Sequence, residues 1–220
     1  MHPRTGTVLV SEADHRIANN LTLLADLVRK QGVAIGKKGK VHTAAETHFL
    51  LDGIAARISM IAQVYRRIAL SPDNGIVALG PFLHETCDSF VAAFSSEMQP
   101  VDVDYRLGEC LVPASRIQPL TLIVSELILN ALKYAHPAGV PLRLGMACEE
   151  RKGVLVVTID DDGVGLPEGF DPAKDGDFGF CVIRQLCEEL GASLDVQSSS
   201  LGTSFEITLR GISVASAQTA

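Results

Sequence analysis

The chain has 220 residues, of which 47% are hydrophobic and 20% are charged, and its formal net charge is −7. This length allows one large domain or two small ones with an ample core, and the composition is that of a globular protein. The negative charge argues against a general nucleic-acid binder, because binding to a phosphate backbone needs a basic surface. No signal peptide is evident, the most apolar stretch is too short to span a bilayer, and the five cysteines are typical of reduced thiols. We therefore expect a cytoplasmic protein that contacts neither nucleic acid nor membrane.

The N-terminal part of the sequence predicts two helices, one from residue 11 to about residue 31 and one around residues 54–68. Each carries an apolar seam at alternating steps of four and three, formed by Ile17, Leu21, Leu24 and Val28 in the first helix and by Ile54, Ile58, Ile61, Tyr65 and Ile68 in the second. A basic, glycine-containing connection at residues 36–40 makes the pair a helical hairpin. Because two helices alone bury little area, we expect the hairpin to form a homodimer, which is a four-helix bundle.

A run of turn-forming residues at 71–75 marks the clearest domain boundary. We place the hairpin at residues 1–72, a second domain at 76–212 and a disordered tail at 213–220. The second domain interleaves strands and helices without a regular βαβ repeat, which predicts a two-layer α/β sandwich with a mixed sheet and an α+β class for the whole chain. Its expected helices are 79–95, 114–135 and 178–190, and its expected strands are 101–107, 142–148, 154–160, 194–197 and 204–209.

His15 lies on the polar side of the first predicted helix, away from the seam. A neutral imidazole nitrogen can attack a phosphorus centre, so an exposed and oriented histidine is a usable nucleophile. A surface histidine without a role is the commoner outcome for a lone histidine. The sequence around His15 leaves both alternatives open.

The long helix at 114–135 places Glu126, Asn130, Lys133 and Tyr134 on one face. A carboxylate and an amide on one face suit a hydrated magnesium ion, which prefers oxygen ligands and keeps several waters. A lysine on the same face can meet a phosphate oxygen as a mobile charge. The structural alternative is a solvated polar face on an amphipathic helix.

An acidic and glycine-containing loop, residues 160–165, follows a buried strand. Glycines let the backbone approach a ligand closely, and a carboxylate beside them can accept a hydrogen bond from an exocyclic amine. A dinucleotide fold needs a helix directly after the glycines, whereas here Pro167 and Gly169 follow. Acidic residues at this loop would repel a pyrophosphate, so adenine is expected here and phosphates at residues 177–180, where a helix begins. An ordinary loop with a helix cap, and a simple turn at Gly202-Thr203, are the structural alternatives.

In this order, the runs resemble the core of a bacterial sensor histidine kinase over residues 11–210. The subgroup is the one whose phosphoacceptor box reads H-R-x-x-N, here residues 15–19, followed by a Bergerat-type (GHKL) ATPase domain. Residues 126–135 resemble its N box, residues 161–165 and 177–180 its first two glycine boxes, and residues 202–203 the last. The resemblance implies that His15 is the phosphoacceptor and Glu126 a further catalytic residue, with Asn130 as magnesium ligand and Asp161 as the acid that reads adenine. It also implies a nucleotide site that contains Lys133, Tyr134, Gly163, Gly165, Gly179, Gly202 and Thr203.

The sequence departs from this family at three points. Asp177 stands where the second glycine box usually has glycine, which adds negative charge near the triphosphate and predicts weak ATP binding. Ala18 replaces the usual lysine, and no acid directly follows His15, which leaves Asp14 and Glu12 as candidate proton acceptors. Only fourteen residues precede His15, so we expect that input comes from a partner protein or that the protein is not a sensor.

The resemblance implies a soluble two-component kinase that uses ATP and Mg²⁺ to phosphorylate His15. The phosphoryl group would pass to an aspartate on the receiver domain of a response regulator. A phosphotransferase adaptor with a degenerate ATP domain, which relays phosphate between response regulators, is the alternative. A third class, a Bergerat-fold ATPase or serine kinase that regulates a partner, would leave His15 idle.

Overall fold

A computed structural model describes residues 22, 25, 28–29, 43–69, 75–94, 100–137, 140–176 and 178–211. The first predicted helix is described at only four positions, all of them helical. His15, Asp177 and the predicted tail at 213–220 lie outside the described residues. The chain divides into two compact units, Met1–His48 and Phe49–Ala220, and all the described strands belong to the second unit.

The described elements follow the predicted order closely. The helices are α1 (Ala44–Ala69), α2 (Gly80–Phe94), α3 (Ala114–Tyr134) and α4 (Phe178–Leu190). The strands are β1 (Ile76–Ala78), β2 (Val101–Leu107), β3 (Leu111–Pro113), β4 (Leu142–Arg151), β5 (Val154–Asp161), β6 (Ala192–Ser199) and β7 (Gly202–Arg210).

The main sheet has five strands in the order β2-β4-β5-β7-β6. Strand β2 runs parallel to β4 and all other neighbours are antiparallel, so the predicted mixed sheet is confirmed. Alternate residues of β4 and β7 are buried against the helical layer, as the period of two in their sequences predicts. A two-residue turn at Lys152 and Gly153, both with positive φ, joins β4 to β5. It is shorter than the gap at residues 149–153 between the two predicted strands.

The sequence did not predict the antiparallel ribbon of β1 and β3. Each strand has three residues, and only the central residues Val77 and Val112 are buried. A strand this short gives too few positions to show a period of two. The ribbon leads directly into α3, which begins at the residue after β3.

Helix α3 is buried on nearly all sides rather than carrying a solvated polar face. It contacts α2 on one side and α4 on the other, and it also packs on β5. Its buried hydroxyls, those of Thr121 and Ser125, donate to the carbonyl oxygens of Gln118 and Leu122 in the same helix. The buried carboxylate of Glu126 needs a partner from elsewhere in the chain.

Helix α1 supplies that partner. Arg57 Nε donates to Glu126 Oε1 at 2.5 Å and Arg57 Nη2 donates to Glu126 Oε2 at 2.7 Å. Only 4% of Arg57 and 2% of Glu126 are exposed, so the ion pair is excluded from water. From Phe49 onward, α1 therefore packs against the helices of the sandwich, although the sequence placed this helix in a separate hairpin domain.

The buried face of α1 overlaps the predicted seam at one residue, Ile61. The buried positions are Gly53, Arg57, Met60, Ile61 and Val64. Ile58, another predicted seam residue, is 50% exposed, and Leu51 is 59% exposed. The helix thus has one face on the sandwich and a second apolar face on another side.

We expect Arg57→Met to lower the free energy of unfolding by roughly 3–5 kcal/mol, because it leaves a buried carboxylate without a partner. The double variant Arg57→Met/Glu126→Leu should recover much of that loss, since it removes both charges. Arg67→Met is the matched control: its pair with Glu85 lies at the surface of the same helix, and a surface pair contributes under about 1 kcal/mol. Denaturant unfolding of all three variants measures the effect, and equal losses in Arg57→Met and Arg67→Met would contradict it.

Candidate functional site

A small cavity lies between the C-terminal half of α3, the loop after β5, the start of α4 and the beginning of β7. Its volume is about 50 Å³ and most of its wall is apolar. Binding sites for small-molecule ligands measure roughly 300–1,000 Å³. The residues that line this cavity must therefore move apart to admit a whole nucleotide. The lining residues are Asn130, Ala131, Tyr134, Ala135, Asp161, Gly165, Leu166, Phe180, Thr203 and Phe205. Five of these, Asn130, Tyr134, Asp161, Gly165 and Thr203, are predicted site residues.

Asp161 is the last residue of β5 and is held from two sides. Its Oδ1 accepts hydrogen bonds from the backbone amides of Gly163, at 2.9 Å, and Thr203, at 3.3 Å. Burial raises the pKa of the Asp161 carboxyl, and these two hydrogen bonds oppose the shift. The carboxylate is thereby fixed at one oxygen, while no described residue donates to the other. Such a group can accept a hydrogen bond from an exocyclic amine of a ligand.

Two glycines allow the loop after β5 to fit into the site. A Cβ on Gly163 would lie 2.5 Å from the Cα of Ala135, at the end of α3. A Cβ on Gly165, whose φ is +77°, would lie 2.2 Å from the carbonyl oxygen of Ser199. The loop is therefore held between α3 and β6 at distances that no larger residue permits. Gly202 pairs with Ser199 at the end of the β6–β7 hairpin, next to Thr203.

Asn130 brings an unsatisfied amide to the cavity. Its Nδ2 is buried and has no hydrogen-bond partner among the described residues. A buried polar group without a partner costs about 1–3 kcal/mol, which a bound ligand can recover. Its amide oxygen fits a magnesium ion, and within the described part of the chain no cluster of three or more histidine, cysteine, aspartate or glutamate residues competes for a metal.

The structure separates the remaining predicted residues of α3. Glu126 lies one turn before Asn130 but does not line the cavity, because Arg57 takes both of its carboxylate oxygens. Lys133 is exposed, and its Nζ lies 4.6 Å from the centroid of the Tyr134 ring. Gly179 is buried in the first turn of α4, beside Phe180.

Phe180 and Phe205, which line the cavity, and Phe170, which packs on Phe180, were not predicted. Phe180 packs between Phe170 and Phe205, with ring centroids 5.2 and 6.1 Å apart. Phe170 belongs to the loop between Asp161 and α4, so this cluster ties that loop to β7. The position of Phe180 within the second glycine box could have indicated from the sequence that it lies at the site. Phe170 lies in an irregular loop, where no periodic pattern indicates burial.

A polar contact beside Asp161, between His136 and Asp162, was also missed. His136 Nε2 lies 3.0 Å from Asp162 Oδ1, which also accepts the backbone amide of Arg143 at 2.9 Å. Burial would raise the pKa of Asp162, but the Arg143 amide and His136 outweigh it and hold that pKa below its usual range. The two neighbouring carboxyls are therefore tuned in opposite directions. Asp162 is bonded outside the cavity, and only Asp161 faces into it.

Comparison with known families places these features in context. The family described as "Histidine kinase-, DNA gyrase B-, and HSP90-like ATPase" matches residues 115–211, and a family described as "Histidine kinase" matches residues 12–94. The first contains the whole cavity. The second contains His15 and α1.

Curated relatives carry the same description. Blue-light-activated histidine kinase 2 of Erythrobacter litoralis is 28% identical over 213 residues, which is 91% of this chain and 56% of the relative. The sensor histidine kinase PdtaS of Mycobacterium tuberculosis is 28% identical over 86% of this chain and 36% of its own length. The chain thus spans between about a third and just over half of these relatives.

Among solved structures, the histidine kinase domain of the Erythrobacter litoralis EL346 blue-light-activated kinase is similar in fold. Its TM-score is 0.68 at 24% identity, with 90% of this chain and 89% of that domain covered. At this identity the likeness concerns the fold. Separately, none of the helices among the described residues is long and apolar enough to cross a membrane.

We expect Gly165→Ala to abolish nucleotide binding, because its Cβ would collide with the Ser199 carbonyl and displace the loop. Gly169→Ala is the matched control: its φ is +76°, but a Cβ there meets nothing within 4 Å. Both variants carry the same backbone strain of roughly 1–2 kcal/mol, so their difference isolates the collision. Titration with a fluorescent ATP analogue measures it, and equal affinity in both variants would refute the predicted fit.

We expect nucleotide affinity to fall in mild acid, at a pH above the usual aspartate pKa of 3.8. Burial raises the pKa of Asp161, so the ionised acceptor is lost at a higher pH than for an exposed aspartate. Asp161→Asn should bind weakly and lose this pH dependence. Asp160→Asn, altered at the preceding residue, should keep it, and affinity measured against pH in the three proteins decides the point.

Proposed function

Because this chain belongs to the histidine kinase family, with a phosphoacceptor segment followed by an ATPase domain of the type found in DNA gyrase B and HSP90, we propose that it is an ATP-dependent protein-histidine kinase. In this proposal it phosphorylates His15 and passes the phosphoryl group to an aspartate on the receiver domain of a response regulator. The observation that carries the proposal is the cavity, where a fixed Asp161 carboxylate and an unpartnered Asn130 amide face one apolar space.

The residues in and around the cavity offer two kinds of chemistry. The apolar side chains of Ala131, Phe180 and Phe205 provide a surface on which adenine can pack, and Asp161 accepts its exocyclic amine. Asn130 and the first turn of α4, with Gly179, lie where the phosphates would go. The Asn130 amide oxygen would hold Mg²⁺, which would supply positive charge to neutralise the phosphates. The proposed nucleotide site also contains Lys133, Tyr134, Gly163, Gly165, Gly202 and Thr203.

The proposed step is an in-line displacement. An imidazole nitrogen of His15 attacks the γ-phosphorus, the bond to the β–γ bridging oxygen breaks, and ADP leaves. The imidazole loses its proton to a nearby acceptor, for which Asp14 and Glu12 are the candidates. The phosphoryl group then moves from the histidine nitrogen to a carboxylate oxygen of the receiver aspartate. The adaptor alternative requires a decayed ATP site, and the geometry around Asp161 and Asn130 argues against such decay.

We further propose that the protein is a cytoplasmic homodimer, which forms through a hairpin at residues 1–72 that precedes the ATPase domain at 76–212. Leu51 and Ile58 support this assembly, because they are half exposed and apolar on a helix whose opposite face is already packed. A further apolar helix is the natural cover for such a surface. The first predicted helix and a second copy of the hairpin together provide one.

Incubation of the purified protein with γ-labelled ATP and Mg²⁺ tests the kinase. We expect an acid-labile label that is lost in His15→Ala and in Asn130→Ala but kept in His48→Ala, an exposed histidine on α1. The label should then transfer to isolated receiver domains and be refused by a receiver that lacks its aspartate. Undiminished label in His15→Ala, or failure of the wild-type protein to bind ATP, would contradict the proposal.

A further inference from the structure

We call residues 166–176, in the connection between β5 and α4, the cap loop. The loop reaches the nucleotide cavity at its first residue, since Leu166 is part of the cavity wall. Further along, the ring of Phe170 packs on Phe180, which belongs to the same wall. The position of the cap loop therefore affects the shape of the cavity.

The second half of the cap loop forms a tight turn of its own. The backbone amides of Lys174 and Asp175 donate to the carbonyl oxygen of Asp171, at 2.9 and 2.7 Å. The Asp171 side chain accepts the backbone amide of Ala173 at 2.9 Å and the ammonium group of Lys174 at 2.6 Å. The carbonyl oxygens of Pro172 and Asp175 take no part in these bonds within the turn, so a donor from another element can bind them.

Arg184 of α4 is that donor. Its Nη1 donates to the carbonyl oxygen of Pro172 at 2.9 Å and to that of Asp175 at 2.8 Å. Its Nη2 contacts Cys181 Sγ at 3.2 Å, one turn earlier in the same helix. A guanidinium is planar, keeps its charge and carries its donors in a fixed geometry, so it can hold two acceptors in a defined position. The side chain thus bridges the two carbonyl oxygens of the turn to α4.

The cap loop is fastened to one face of α4. Phe180 and Arg184 are four residues apart and therefore lie on the same face of the helix. Phe180 contacts the Phe170 ring, with centroids 5.2 Å apart, and Arg184 binds the turn. The backbone then passes close to α4 at Gly176, whose φ is +99° and where a Cβ would lie 2.6 Å from the Phe180 ring. A ring contact, a close backbone approach and an arginine together hold the loop.

The ion pair inside the cap loop has a different effect. Lys174 pairs with Asp171, but these side chains are 81% and 38% exposed, and exposed pairs contribute little to stability. Both partners belong to the loop, so their pair shapes the turn without fixing its position. Arg184, by contrast, joins the turn to a separate element. Its hydrogen bonds therefore determine where the turn lies.

We propose that Arg184 is a positioning residue for nucleotide binding, which orders the cap loop on α4 before a nucleotide arrives. This inference rests on the proposed ATP site in the cavity. A loop that is already ordered spares the ligand the conformational entropy that ordering would cost, so the nucleotide binds more tightly. Arg184 is not among the residues that line the cavity, so it acts through the loop.

Hydrogen exchange in the nucleotide-free full chain tests the ordering. In Arg184→Met we expect exchange about tenfold faster at the amides of Lys174 and Asp175, because the turn opens more easily without its two hydrogen bonds to α4. Arg184→Lys keeps a donor for one carbonyl oxygen and should lie between the variant and the wild type. Unchanged exchange in Arg184→Met, or a wild-type loop that exchanges like an unfolded peptide, would overturn the proposal.

Arg116→Met is the matched control. Arg116 Nη1 also donates to a carbonyl oxygen of α4, that of Leu190, at 2.9 Å, but this contact lies at the opposite end of the helix from the cap loop. The control variant loses an arginine-to-carbonyl hydrogen bond on the same helix and keeps the contacts of the loop. We expect exchange in the cap loop to match the wild type.

Nucleotide affinity tests the consequence of the ordering. Titration of the full chain with a fluorescent ATP analogue should give a Kd about tenfold higher in Arg184→Met, which corresponds to about 1.4 kcal/mol. Arg184→Lys should recover part of the affinity, and Arg116→Met should bind like the wild type. The rate of labelling at saturating ATP should stay near the wild-type value in all three variants, because Arg184 does not touch the reacting atoms. Faster exchange in Arg184→Met with wild-type affinity would reject the role in binding.

The two measurements separate this inference from the proposed activity. If the wild-type chain does not bind the ATP analogue, the kinase proposal fails, and with it the role of Arg184 in binding, while exchange still decides whether Arg184 orders the cap loop. If the wild-type chain binds ATP and is labelled, but Arg184→Met binds ATP equally well, the kinase proposal stands and the inference about Arg184 is rejected.

Discussion

The enclosure of helix α3 is the constraint on which the rest of this structure depends. The sheet, α2, α4 and α1 surround it, so every polar side chain on its buried surface must find a partner away from water. Thr121 and Ser125 use carbonyl oxygens of the helix itself, and Glu126 uses Arg57. Asn130 is the residue on this helix whose buried amide group the described chain leaves without a partner. The most deeply packed helix thus carries both the strongest internal ion pair and the group most ready for a ligand.

The sheet contributes to the site through its register. Asp161 pairs with Thr203 at the end of the β5–β7 ladder, and this pairing brings the Thr203 amide to the Asp161 carboxylate. A slip of one residue would turn Asp161 to the other face of the sheet and place Asp160 or Asp162 at the cavity. The alternating burial of β7, with Phe205, Ile207 and Leu209 in the core, prevents such a slip. The hydrophobic core therefore selects which carboxylate of the acidic run reaches the cavity.

The sequence was sufficient to predict the strands and helices of the sandwich because each has a clear period and a clear stop. It also identified five residues from three distant segments that the fold brings to one cavity, namely Asn130, Tyr134, Asp161, Gly165 and Thr203. What it missed depends on contacts between distant residues. Periodicity placed Glu126 with Asn130 on a polar face, yet its environment is set by Arg57, 69 residues away.

The other features that the sequence did not predict also lack a clear local pattern. The ribbon of β1 and β3 is too short to show a period, and the Phe170 ring meets Phe180 only after the loop has folded. The seam on α1 was visible, but nothing local indicated that Ile61 would be its one buried residue, or that an arginine and a glycine would be buried with it. Local sequence thus reports which residues can be buried, while the partner that buries them is a property of the whole fold.

The two faces of α1 allow this helix to have two partners. Gly53, Arg57, Met60 and Val64 occupy one side, and Leu51 and Ile58 are presented on another. Successive residues of a helix are separated by about 100° around its axis, which places Leu51 and Ile58 well away from the packed face. The helix can therefore contact the sandwich and a further apolar helix at the same time.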